Sequence, residues 1–158
     1  NPALIKGGQA NLWTEQVYNT RHLQYMTWPR GMAIAEALWS PKEKRNWSDF
    51  SGRVVSHFTR LDMAGVKYAP SIYDPIITAE KKDTATVLIK LSTELDDLKI
   101  HYSFDNSFPD TWYPVYTEPL LVPKDASTMK LITSRNGKIT GRMMSIPVTD
   151  LKKRAGIK

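Results

Sequence analysis

The 158-residue chain has no cysteine, which excludes disulfides and thiolate metal sites but does not separate one cellular compartment from another. It has no apolar run long enough to cross a bilayer. Nothing about compartment follows from its first residues, which do not form a leader peptide. It also lacks a concentrated charge of one sign: the net charge of +6 is spread along the sequence. Residues 1–73 hold nine basic and five acidic side chains, and residues 74–158 hold thirteen and eleven. Lys152-Lys153-Arg154 with Lys158 is the sole basic run, and its terminal position predicts a solvated tail, so no nucleic-acid partner is expected. His22 and His57 have no partner at ligand spacing and read as packing or surface residues; no metal and no cofactor is expected.

What is present is a globular composition, 41% hydrophobic and 24% charged, in a length that suits one ordinary domain or two small ones. The most informative stretch is Gly7-Gly8-Gln9-Ala10-Asn11-Leu12-Trp13-Thr14-Glu15. Leu4, Ile5, Ala10 and Leu12 around the glycine pair predict a short buried strand. Trp13 offers a flat apolar face to pyranose C–H bonds, and Glu15 offers a charged acceptor to hydroxyls. In an extended chain, side chains two apart point the same way. The alternative is that Trp13 is a core residue and Glu15 a surface charge.

Further on, Asn19 or Thr20 can cap a helix that turns Leu23, Met26 and Tyr25 inward. Pro29 predicts a break before a second helical segment, Arg30 to Trp39, whose small residues Gly31, Ala33, Ala35 and Ala37 suit close packing on strands. Arg30 and Glu36 are candidates for a buried ion pair or separate polar anchors. Ser40-Pro41-Lys42-Glu43 fits a capping box. A helix starting near Ser48 should carry Phe50, Val54, Phe58 and Leu61 on one stripe and stop before Gly65. Asn46-Trp47-Ser48 matches a glycosylation sequon, but it overlaps a helix start and is assigned no role.

From about Tyr68 to Pro75 the pattern changes to short alternating runs. Val87, Ile89 and Leu91 share one strand face; Ile100, Tyr102 and Phe104 share another, with His101 and Ser103 pointing away. Asn136-Gly137 between Met129–Arg135 and Lys138–Val148 is a strong hairpin signal. Strands at this spacing predict a small antiparallel β-sandwich over residues 74–158. Asp96-Asp97 reads as a solvated turn pair. Phe108, Trp112, Tyr113 and Tyr116 make an aromatic connection that either packs or stacks on sugar, with packing preferred.

Taken with Trp28-Pro29-Arg30, Ala35-Glu36 and Leu38-Trp39-Ser40, the run from Gly7 to Glu15 resembles the last strand and last helix of family 20 glycoside hydrolases, the β-N-acetylhexosaminidases. The resemblance covers about residues 1–73. Tyr102 to Pro109, Tyr116 and Gly141 to Ile146 are similar to the carboxy-terminal module of chitobiase and β-hexosaminidase proteins, with Asn106 where glycine is usual and Phe108 where a polar residue is usual.

The resemblance implies an α+β chain: the helical remnant of the last βα unit of a (β/α)8 barrel, then the sandwich. A whole barrel takes about 250 residues, so it implies a carboxy-terminal fragment. It also implies that Trp13 walls the sugar pocket and Glu15 binds the outer hydroxyls of a terminal N-acetylhexosamine. In such enzymes the substrate's acetamido oxygen attacks the anomeric carbon, while an upstream aspartate-glutamate pair orients it and protonates the leaving oxygen. That pair is not expected in this chain, which would be inactive alone. Glycan substrates imply an extracytoplasmic location, and a missing barrel implies an upstream partner or self-association through orphaned apolar faces. The alternative is a noncatalytic carbohydrate-binding or interaction module.

Overall fold

The computed structural model describes residues 4–157 and is α+β, with helices preceding antiparallel strands. The chain divides into two compact units, 1–69 and 70–158. Leu4 to Tyr18 precede the helices. The strand expected at Leu4–Leu12 does not form: residues 5–14 have no regular structure, and Leu4, Ile5 and Leu12 are exposed. A strand needs a neighbour to accept its backbone bonds, and the described residues of this unit contain no other strand to pair with.

Helix α1 (Thr20–Thr27) begins where the Asn19 side chain accepts from the His22 N–H at 2.8 Å. It ends at Trp28, whose extended backbone is the conformation a following proline favours. Helix α2 (Arg30–Trp39) buries no residue. Leu23 on α1 is exposed, with Tyr25 and Met26 half-buried. The capping box expected at Ser40–Glu43 is not made. Lys42–Lys44 form one 3-10 turn with no side-chain cap, and the next helix starts later.

That helix, α3 (Trp47–Met63), is capped by Asn46, whose carboxamide oxygen accepts from the Asp49 N–H at 3.0 Å. Its stripe turns inward as its four- and three-residue spacing requires: Val54 and Phe58 are buried, Phe50 and Leu61 half-buried. Gly65, at φ +67°, closes the helix, with its N–H on the Asp62 carbonyl and the Val66 N–H on the Leu61 carbonyl. A left-handed residue is needed there to turn both amides back, and glycine takes it without strain. The segment after it returns along the unit. Tyr68 stacks on Phe58 with centroids 4.0 Å apart, and the Ala69 N–H reaches the Trp28 carbonyl at 2.9 Å.

The second unit has two antiparallel sheets. One runs β1 (Ile76–Lys81), β2 (Val87–Ser92), β4 (Leu120–Leu121). In the other, β5 (Thr128–Arg135) pairs with β3 (Lys99–Ser103) on one edge and with both β6 (Lys138–Ile139) and β7 (Met144–Pro147) on the other. Val87, Ile89 and Leu91 from the first sheet meet Ile100, Met129, Leu131 and Ile146 from the second in one buried cluster. Asn136 (φ +50°) and Gly137 (φ +73°) make the tight hairpin their sequence predicted.

The strand expected from Lys138 to Val148 is interrupted. The Thr140 and Gly141 N–H groups both turn onto the Thr133 carbonyl, which ends β6, and pairing resumes only at Met144. Gly141 is required at this crossing, because a Cβ there would stand 2.9 Å from the Tyr73 carbonyl oxygen and collide with the Thr133 hydroxyl. Val148 opens helix α4 (Val148–Arg154), so the terminal basic run is not a free tail. Val148 and Leu151 are buried in the cluster, while Lys152, Lys153 and Arg154 stay in solvent on the last turn, where the helix dipole favours cations.

Candidate functional site

Trp13 and Glu15 stand on the exposed segment that precedes α1. Trp13 is 74% exposed and Glu15 is also exposed. The Val17 N–H on the Thr14 carbonyl, at 3.0 Å, closes a turn that contains Glu15, so turn geometry, and not strand alternation, aims this carboxylate. Gly8 lies against Leu38 of α2: a Cβ at Gly8 would be 2.8 Å from a Leu38 methyl. The glycine therefore lets this segment approach the helix closely.

Between α2 and α3 is a cleft of about 310 Å³ lined by Met32, Glu36, Trp39, Phe50, Arg53 and His57 among others; neither Trp13 nor Glu15 lines it. Its carboxylate is already engaged, since Glu36 pairs with Arg53 at 2.8 Å. Of the two alternatives for Arg30 and Glu36, the mutual ion pair is not formed and each is a separate polar anchor. Arg30 instead donates to the Tyr25 and Met26 carbonyls at the end of α1, where a guanidinium can satisfy helix carbonyls that have no amide partner. His57 is exposed and His22 half-buried. No three metal-ligating side chains gather anywhere among the described residues, and no helix among them is long and apolar enough to cross a membrane.

The second unit contains polar groups whose burial the alternation of β3 does not show. His101 and Ser103 do point away from the Ile100 face, but not into water: His101 is 2% exposed, and Ser103 is buried too. The chain from Asp105 to Val115 runs against these side chains: Ser103 donates to the Ser107 carbonyl, and a bridge pairs Val115 with the backbone of His101. His101 Nδ1 is 2.9 Å from the Tyr113 carbonyl, and Nε2 is 2.8 Å from Ser134 Oγ. A carbonyl can only accept, so Nδ1 carries the hydrogen and the Ser134 hydroxyl donates to Nε2. Serine and imidazole at this distance match a nucleophile and its base, yet both are sealed from any substrate, and their work is to hold the covering loop.

Asp74 is a second buried polar group. Burial pushes its carboxyl above the usual range, against the lowering pull of Arg142, whose guanidinium lies 2.8 Å away. Asp74 Oδ1 has no hydrogen-bond partner among the described residues. Asp83 and Asp105 are shifted the other way. Asp83 is held low by the Ala85 backbone N–H and then by Thr86, and Asp105 by the Ser107 hydroxyl and then its backbone N–H. Both are exposed turn residues. Asp97 pairs with Arg135 at 2.6 Å on the surface. No sequence spacing links Asp74 to Arg142 or His101 to Ser134: the pairing of β3 with β5 brings the second pair together, and the first pair meets outside the strands.

The covering loop differs from the packing cluster expected of its aromatics. Tyr113 and Tyr116 are half-buried, but Phe108 is 71% and Trp112 92% exposed. Lys130 Nζ lies 3.8 Å from the Phe108 ring centroid and donates to the Asn106 carbonyl. The Asp110 carboxylate accepts from the Trp112 N–H at 2.8 Å.

Comparison with known proteins places the chain among relatives that are glycoside hydrolases. Residues 1–42, which include Trp13 and Glu15, match the family model of the glycosyl hydrolase family 20 catalytic domain, and residues 89–147 match the model described as Fn3 associated. Among individual proteins, a beta-hexosaminidase of Porphyromonas gingivalis is 32% identical over 117 residues, which is 73% of this chain and 15% of that protein. A beta-N-acetylhexosaminidase of Cellulomonas fimi is 37% identical over 70 residues, 44% of this chain and 14% of that protein. Beta-hexosaminidase subunit beta of Homo sapiens is 39% identical over 67 residues, 42% of this chain and 12% of that protein. The chain is thus related to the family 20 β-hexosaminidases, and it spans no more than 15% of the length of these three relatives.

Proposed function

We propose that the first unit contributes a sugar-contacting wall to a β-N-acetylhexosaminidase. In this reading the exposed segment is the eighth strand of a barrel, and it becomes a strand when earlier strands accept its backbone bonds. Trp13 then stacks on the terminal N-acetylhexosamine, and Glu15 accepts from its outer hydroxyls. The aspartate-glutamate pair that performs substrate-assisted cleavage lies in the preceding part of the enzyme, and the strands after residue 69 form a β-sandwich module. Cleavage of glycans by such an enzyme suits an extracytoplasmic location. The single observation that carries the proposal is that the family 20 catalytic-domain match spans the very segment holding both residues. Their exposure supports it, since side chains that await a partner surface have none here.

The test uses a chromogenic N-acetylglucosaminide. The 158-residue chain alone should release no chromophore. In a longer protein that contains this segment, Glu15→Gln should lower kcat/KM by about 1–3 kcal/mol of transition-state binding, the scale of a charge-assisted hydrogen bond. Turnover by the chain alone, or an unchanged kcat/KM in the variant, would remove the assignment.

A further inference from the structure

Trp112, the single tryptophan of residues 70–158, is exposed and lies outside the buried apolar cluster of that unit. Its backbone is nevertheless fixed from both sides. Before it, Pro109 is fully buried, and Asp110 Oδ1 holds the Trp112 N–H. After it, the buried His101 ring binds the Tyr113 carbonyl, and the Tyr116 N–H reaches the Ile100 carbonyl at 2.8 Å. A ring presented to water on a loop with this much internal bonding loses little further freedom when a ligand arrives. Around it the loop is polar and not oily. Asp105, Asn106, Ser107, Asp110 and Thr111 surround the two exposed rings in sequence, and Asp110 keeps a second carboxylate oxygen as an acceptor. One flat apolar face flanked by hydroxyl-binding groups suits a sugar ring better than an apolar protein surface.

We propose that this loop is an accessory carbohydrate site, in which Trp112 stacks on a pyranose and Asp110 accepts from its hydroxyls. The class of sugar, N-acetylhexosamine, rests on the function proposed above. The similarity to the Porphyromonas gingivalis beta-hexosaminidase is longer than the first unit, so it extends into the second and places both units within one relative. The Ser134–His101–Tyr113 bonds beneath the loop would keep the ring in position.

The 158-residue chain is titrated with a β-linked trimer of N-acetylglucosamine, with calorimetry and tryptophan fluorescence as readouts. Saturable binding is expected. Trp112→Ala, at an exposed position that leaves the core intact, should weaken it at least about tenfold, and Trp112→Phe should retain part of it. Asp110→Asn keeps an acceptor for the Trp112 N–H but removes the charge, and should weaken binding about fivefold. Absence of saturable binding overturns the proposal. So does binding that survives Trp112→Ala and disappears in Trp13→Ala, which would locate the sugar on the first unit. Sedimentation showing a dimer that dissociates in Trp112→Ala, with sugar affinity unchanged, overturns it as well and assigns the ring to a second copy. The Glu15→Gln assay on the longer protein does not involve this loop, so failure there and failure here are distinguishable.

Discussion

The two units bury their side chains to very different extents. Among its described residues the first has three helices, yet its buried residues are Ser51, Val54, Phe58 and Ala69. Ile34, Leu38 and Trp39 of α2 all face solvent. The second gathers ten buried apolar residues from two sheets and a helix into one cluster. Each buried aliphatic or aromatic side chain contributes about 1.5–3 kcal/mol, while fixing each residue's backbone costs about 1–2 kcal/mol. The helices of the first unit therefore depend on local devices such as the Asn19 and Asn46 caps, the Gly65 stop and the Phe58–Tyr68 stack, whereas the sheets depend on burial. An exposed aromatic thus means different things in the two: on α2 it reflects a unit short of core, and on the second unit's loop it is a ring placed outside a finished one.

The sharpest way to break this contrast is Phe58→Ala, which removes most of the buried apolar contact of the first unit. A loss of about 3–5 kcal/mol should melt α3, while amide exchange in β5 stays slow. Equal loss of protection in both units would show that they fold as one. Next in size is Gly141→Ala, where the added methyl must displace the Tyr73 backbone or the Thr133 side chain, at about 1–3 kcal/mol to the second unit alone. Thermal unfolding followed in the near ultraviolet checks it, and an unchanged midpoint would mean the crossing is looser than it looks.

The smallest effect concerns Asp74. Its folded carboxyl titrates above its ordinary 3.8, so the folded unit binds this proton more tightly than the unfolded chain. That contribution to stability is complete below pH 3.8 and is lost as pH rises through the raised value. Asp83 and Asp105 act in the opposite sense, their contributions being present above their ordinary range and lost as pH falls. Comparison with Asp74→Asn isolates the one group: relative to the variant, the native chain should lose stability between acid and neutral pH. A flat difference would place Asp74 in water.

What could be read from the residues alone followed period and turn chemistry. The α3 stripe, the glycine stop at Gly65, the Asn136-Gly137 hairpin and the alternating face of β2 are local patterns, and each is found in the structure. What could not be read depended on distant neighbours. Leu4 to Leu12 looks like a strand, but no partner edge exists for it among the described residues of its unit. Arg30 and Glu36 could pair or act as separate anchors, and their spacing did not show that a carbonyl cluster and Arg53 would be their partners. Lys138 to Val148 alternates well enough, yet the crossing of Gly141 past Thr133 interrupts it. As for the candidate site, the proposal for Trp13 and Glu15 rests on their motif context, and the prominence of Trp112 was hidden because exposure has no signature in a single sequence.

The imidazole bonds beneath the loop have one more consequence. Any swing of residues 110–114 away from β3 would part the His101 ring N–H from the Tyr113 carbonyl, at about 1–3 kcal/mol for the lost partner. Surface segments ordinarily rearrange within nanoseconds to microseconds. This one carries that added cost, so it should rearrange more slowly than an untied loop.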